Sequence, residues 1–297
     1  MLTETQSAST VRGTRAGPPG SAFGCPREFL GNRFVYAVVS PRARGLSIGV
    51  NMNPDKHCNF NCEYCEVNRL LPGREAILDV EVMADELRRT VELAETGGLK
   101  RFPCYANVPP ELLQLRHVAL SGAGESTLSP NFLDAVRAVV HVRALRRLPF
   151  FKIVLLTNAT GLDLRSVQDG LKLFISRDEI WAKLDAGTQA YMDRVNHPDC
   201  PLEKVLANIL LTARVRPVVI QSLFLALDDE GPPVEEIERY AERLRDLKDA
   251  GAKISMVQIY SATRPMARPG CGHLPLNVLA RIARRVREVS GLRAEVF

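Results

Sequence analysis

"LSIGVNMNPDKHCNFNCEYC" (residues 46–65) runs a strand-like apolar stretch, 46–52, straight into a loop that holds Cys58, Cys62 and Cys65. The loop itself has neither helical nor strand periodicity. In folds built from strand-then-helix units, the loops that leave the C-terminal ends of the strands build the active site. The three thiols therefore stand where such a site belongs, provided the rest of the chain continues the same alternation.

It does. Strand-like runs follow at 115–122 ("LRHVALSG"), 151–158 ("FKIVLLTN"), 179–186 ("EIWAKLDA"), 218–227 ("VVIQSLFLAL") and 253–262 ("KISMVQIYSA"). The run at 151–158 is nearly all apolar, as expected of a parallel strand covered on both faces. Helical spacing appears at 79–95, with Val80, Met83, Leu87 and Val91 on one face, and at 131–147, with Phe132, Val136, Val139 and Val140 inward. A third helix carries Val234, Ile237, Tyr240, Ala241 and Leu244 on its face and meets Gly251 as a stop. Six such units with right-handed crossovers predict an α/β fold, a parallel sheet curled into a partial (β/α)6 barrel rather than the closed eight-unit form.

The chain has 297 residues, 46% hydrophobic and 25% charged, with a formal net charge of +5. That size accommodates one large α/β domain, and the charge neither requires nor excludes a nucleic-acid partner. Residues 1–24 are rich in Ser, Thr, Gly and Pro without hydrophobic periodicity, so they read as a disordered tail ahead of a core domain spanning 25–297. No run approaches the roughly 20 apolar residues of a membrane span, and the start lacks a secretory apolar region. A cytoplasmic location is expected, where seven cysteines are thiols, ligands or catalytic groups more readily than disulfides.

Clustered cytosolic thiolates serve two metal chemistries. A structural zinc site closes with four ligands, and His57 is the nearest fourth donor, but C-x3-C-x2-C differs from paired C-x2-C knuckles. An iron–sulfur cluster held by three cysteines leaves one iron open. At this point "CNFNCEYC" resembles the C-x3-C-x-aromatic-C signature of the radical S-adenosylmethionine (radical SAM) superfamily. The resemblance implies a [4Fe–4S] cluster on Cys58, Cys62 and Cys65, whose open iron chelates the methionine moiety of S-adenosyl-L-methionine. "LSGAGESTLSP" (120–130) resembles the superfamily's glycine–glycine–glutamate segment. Gly122 and Gly124 allow close backbone approach, and the carboxylate of Glu125 accepts charge-assisted hydrogen bonds from an ammonium group. Tyr64 resembles the aromatic residue that packs near the adenine. Asn158 and Asp185, at the ends of the third and fourth strands, are candidates for the ribose or the substrate. A plainer role for Asp185 is to cap the following turn, with Lys183 neutralising it.

The resemblance extends over residues 33–297 to stand-alone radical SAM proteins related to the wyosine-synthesis enzymes, which modify a base beside the anticodon of phenylalanine tRNA. It implies reductive cleavage of S-adenosyl-L-methionine to a 5′-deoxyadenosyl radical that takes hydrogen from a small metabolite or a tRNA base. An external reductant such as flavodoxin or ferredoxin is implied with it. Those enzymes carry a second cluster on additional N-terminal cysteines, whereas here only Cys25 precedes the main motif. Cys104, Cys200 and Cys271 are scattered and read as free thiols, with Cys271 and Lys183 the candidates for a direct catalytic part. Basic segments at 141–152 and 263–270 would attract phosphates, although a basic run on a helix is usually a solvated face. His117 reads as a satisfied structural histidine. The alternative from another class is a non-catalytic zinc or iron–sulfur scaffold protein on a degenerate radical SAM barrel.

Overall fold

A computed structural model describes residues 30–145, 150–262 and 271–297. The tail read over 1–24, Cys25, part of the first basic segment and the whole of the second lie outside the described residues.

The elements are β1 (Val35–Ser40), β2 (Gly45–Asn51), α1 (Val80–Glu95), α2 (Pro103–Ala106), β3 (Leu115–Ser121), α3 (Phe132–Ala144), β4 (Lys152–Thr157), α4 (Arg165–Leu171) and β5 (Glu179–Lys183). They continue with α5 (Gln189–Asn196), α6 (Leu202–Val215), β6 (Val218–Leu223), β7 (Ala226–Leu227), α7 (Val234–Asp249), β8 (Ile254–Tyr260), β9 (Cys271–Gly272), α8 (Leu276–Ser290) and β10 (Ala294–Val296). One eight-stranded sheet runs in the order β1-β2-β3-β4-β5-β6-β8-β10. Every neighbouring pair is parallel except the β1–β2 hairpin. The six expected strands are its centre, and β1 and β10 are edge strands that the sequence reading did not anticipate. The sheet curls without closing. Across the opening, Arg44 in the hairpin turn reaches Glu295 of β10 at 3.3 Å.

Alternation along the strands explains the continuous apolar runs. Ile153 and Leu155 of β4 are fully buried in the main core between sheet and helices. Val154 packs instead with Trp181 and Val219 in a separate cluster inside the barrel. Helix α1 starts at Asp79, whose side chain accepts from the N–H groups of Glu81 and Val82, and buries Met83, Leu87 and Val91. Helix α7 buries Tyr240, Ala241 and Leu244 as expected, but Val234 is 76% exposed, and the first-turn residue on the inward face is Glu236 instead. The run 218–227 also divides, since the chain leaves the sheet after Leu223 and β7 pairs antiparallel with β9.

Candidate active site

The cysteine loop leaves the C-terminal end of β2 and would strand its backbone polar groups if nothing answered them. The last residues of α5 and the segment after them do so. Asn61 N–H donates to Asn196 O at 2.9 Å, Glu63 N–H to Val195 O at 2.8 Å, and Asp199 N–H to Asn59 O at 3.1 Å. Side chains tighten the same join: Asn59 Nδ2 donates to Asp199 Oδ1 at 2.8 Å, while its Oδ1 accepts from Asn158 Nδ2 at 2.9 Å and Thr160 Oγ1 at 3.2 Å. The loop is thus fixed to the ends of β4 and α5.

Its sulfurs are partly buried and have polar neighbours. Cys58 Sγ accepts from the N–H of Phe60 at 3.5 Å, and the Arg69 guanidinium lies beside it and donates to Phe60 O. Burial pushes the Cys58 thiol up, and pushes the Cys62 thiol up to about 11. Asn196 Nδ2 then joins three groups, donating to Cys62 Sγ at 3.3 Å, Tyr64 Oη at 3.2 Å and Asp185 Oδ2 at 3.0 Å. Tyr64 also donates to Asp185 Oδ2, and the Leu223 N–H donates to Asp185 Oδ1 at 2.8 Å. Lys183 Nζ lies 3.4 Å from Asp185 Oδ1, 3.2 Å from the Tyr260 hydroxyl and 4.9 Å from the Tyr64 ring centre. Burial alone would lower the Lys183 ammonium, but the Asp185 carboxylate beside it overrides that and holds it above its ordinary value. Burial, reinforced by Asp185, holds the Tyr64 phenol well above its usual range. The structure therefore gathers Cys62, Tyr64, Lys183 and Asp185 around a residue that the sequence reading passed over, Asn196. The cap of α5 is Thr188, not Asp185, whose two oxygens are committed to this group.

The loop after β3 supplies a second layer. Gly122 has φ +147°, and a Cβ there would stand 2.2 Å from Asn51 Oδ1. At Gly124 a Cβ would meet His57 O at 1.9 Å. The close approach recorded at both glycines is to the chain leading into the cysteines, with Glu125 N–H donating to His57 O at 3.0 Å. Glu125 is 3% exposed. Its Oε1 accepts from Thr127 N–H (3.1 Å), Thr127 Oγ1 (2.6 Å) and Thr157 Oγ1 (2.5 Å), and its Oε2 from Asn158 N–H (2.7 Å). Burial nonetheless raises its pKa. Asn158 and Thr160 hold Asn59 in turn. Ala159 between them has φ +70°, and Asn208 Nδ2 on α6 braces that turn at Ala159 O (2.9 Å) and Thr160 O (3.0 Å).

Two other expectations, for Cys104 and His117, part from the structure. Cys104 is disulfide-bonded, so it is not the free thiol expected of it. Cys271 lies on β9 against β7. Cys200 shares a cavity of about 720 Å³ with Cys58, Arg69, His197 and Lys204 on the flank of the cysteine loop. His117 is only half satisfied: Nε2 meets Ser47 Oγ at 2.8 Å, while Nδ1 is buried without a hydrogen-bond partner. No three His, Cys, Asp or Glu side chains among the described residues converge as ligands of one metal ion.

Architecture defines the class first: the chain has the partial α/β barrel of the radical SAM fold. A structure of TYW1 with a lysine–pyruvate adduct bound superposes with a TM-score of 0.51 at 15% identity, covering 84% of this chain and 74% of that one. SuiB of Streptococcus suis bound to S-adenosylmethionine gives 0.56 at 14% identity, covering 82% of this chain and 49% of SuiB. A point mutant of spore photoproduct lyase gives 0.52 at 9% identity, covering 89% and 79%. In sequence, the chain is similar to a UPF0026 protein of Helicobacter pylori, 24% identical over 230 residues, which are 75% of this chain and 66% of that protein. A UPF0026 protein of Synechocystis is 29% identical over 181 residues, 59% of this chain and 57% of its own length. The chain thus spans just under two thirds of the H. pylori relative. No family model matches. Among the described residues no helix is long and apolar enough to cross a membrane.

Proposed function

We propose that the protein is a radical SAM enzyme in which Cys58, Cys62 and Cys65 hold a [4Fe–4S] cluster beside a site for S-adenosyl-L-methionine. One observation carries this reading: Asn196 ties the Cys62 sulfur to Tyr64 and Asp185 at the mouth of the barrel. The donor set fits such a cluster. Three thiols share one short loop, and N–H groups of Phe60 and Asn196 point at two of the sulfurs, a contact that favours thiolate and tunes cluster potential. Thiolates on separate irons of a cluster need not converge on one point as zinc ligands do, so the loop suits a cluster better than a single ion.

Held there by Cys58, Cys62 and Cys65, such a cluster would supply one-electron reduction of S-adenosyl-L-methionine and, with it, hydrogen-abstraction chemistry. The chain's own residues position and shield. Asn59, Asn158, Thr160 and the 195–199 segment hold the cysteine loop still. Gly122 and Gly124 bring the next loop against it, and Glu125 fixes the turn that presents Asn158. Asp185, Tyr64 and Asn158 line the cofactor side, and Lys183 presents a cation to the lumen. The substrate is a small metabolite or a tRNA base, and the electron comes from a flavodoxin- or ferredoxin-type donor. Anaerobic reconstitution followed by iron and sulfide analysis tests the reading. About four irons with matching sulfide per chain are expected, and zinc without sulfide would replace it with a scaffold protein.

A further inference from the structure

At the opposite end of the barrel, where β4, β5, β6 and β8 begin, lies a second cavity of about 280 Å³. Four cations face it, Arg42, Arg44, Lys152 and Arg293, with two carboxylates, Glu179 and Glu295. Both carboxylates are already occupied. Glu179 Oε1 meets Lys152 Nζ at 2.6 Å and its Oε2 accepts from Trp181 Nε1 at 2.8 Å. Glu295 takes Arg44 at 3.3 Å and Arg293 Nε at 2.8 Å. Phe297 also lines the cavity.

Arg42 is left over. It is partly buried in the turn between β1 and β2, with its guanidinium carbon 4.3 Å from the Tyr260 ring centre. No hydrogen bond or ion pair reaches it among the described residues. A stack on one ring satisfies none of the five N–H donors of a guanidinium, and that planar fork matches a carboxylate or phosphate. A second polar group nearby is also unanswered. His117, 2% exposed and edge-on to the cavity-lining Trp181 at 5.3 Å, keeps its unpartnered Nδ1.

We propose that this cavity binds a small oxyanion-bearing metabolite, a carboxylate or a phosphate, with Arg42 as its clamp and Lys152 and Arg293 at its rim. The site lies across the barrel from the cysteine loop and does not depend on the cluster. Tyr260 connects the two ends, because its ring carries Arg42 and its hydroxyl accepts from Lys183.

The chain contains one tryptophan, so Trp181 fluorescence reports on the cavity directly. The experiment titrates inorganic phosphate and, separately, acetate into the whole protein at ionic strength held constant with chloride. A saturable change with at least one ion is expected. Arg42→Met should weaken it by about tenfold or more, the usual worth of a charged hydrogen-bonding partner. Arg137→Met, on the exposed face of α3, should leave it intact. Arg42→Lys, which keeps the charge and loses the fork, should bind with intermediate affinity and decides the matter if Arg42→Met does not fold. A response to phosphate alone assigns a phosphate ligand, and one to acetate alone a carboxylate. Undiminished affinity in the Arg42 variants, or no saturable change with either ion, overturns the proposal.

Discussion

Replacing Asn196 by Asp changes one atom of the site and reverses an interaction. The amide that now donates to Asp185 Oδ2 at 3.0 Å becomes an oxygen facing a carboxylate. At an effective dielectric near 20, two unit charges at that separation repel by roughly 5 kcal/mol. Lys183, 3.4 Å from the other oxygen of Asp185, returns part of this. The new acid escapes more by keeping its proton, at about 1.4 kcal/mol for each pKa unit it must rise. The net loss of folding stability at pH 7 should be about 2–4 kcal/mol, and it has a definite pH signature. The native pair binds a proton that the unfolded acids release above about pH 4. The deficit should therefore shrink as the pH falls toward 4 and grow as it rises to the native pKa of the pair. Urea denaturation of the wild-type and Asn196→Asp proteins at pH 4.5 and 7 measures both features. A deficit below about 1 kcal/mol at pH 7, or one of equal size at both pH values, would refute the view that Asn196 holds Asp185 as a buried carboxylate.

Three further outcomes follow from the same network. Gly124→Ala places a methyl 1.9 Å from His57 O, so the protein should stay folded but lose reconstituted iron as the cysteine loop is pushed aside, as iron analysis and circular dichroism would show. Asn208→Ala leaves the turn at Ala159 unbraced and should cost about 1–3 kcal/mol in urea denaturation. The buried Glu125 and Glu236 both have pKa values raised by burial, so each keeps its proton longer in the folded state. Their contribution to stability should fall as pH rises from about 4.3 through their folded pKa values, and Glu236→Gln should flatten that slope in a stability–pH series.

The barrel was legible because its central strands are buried on both faces. Runs such as 151–158 have apolar residues at successive positions, which few other elements of that length require. The edges were not. β10 is three residues long, and β1 alternates buried with partly buried positions beside a tail of no periodicity. The cysteines announced themselves by spacing, whereas the residues that fix them did not. Asn196 closes an ordinary amphipathic helix, and its only local signal is the left-handed His197 after it, at φ 42°, which a sequence does not display. Asn59 and Asn208 act through contacts 99 to 140 and 48 to 49 residues away, beyond the reach of any local pattern. Glu125 stands out in the sequence by its motif, but the four donors that surround it belong to the fold.

The most direct test of the account is 5′-deoxyadenosine formation by the anaerobically reconstituted protein, given dithionite and S-adenosyl-L-methionine, in parallel with Cys58→Ala, Cys62→Ala and Cys65→Ala variants. Product is expected from the wild-type protein and none above background from any variant, each variant remaining folded by circular dichroism. Equal product from a cysteine variant, or none from a wild-type protein loaded with iron and sulfide across a panel of small metabolites and tRNA, would contradict it.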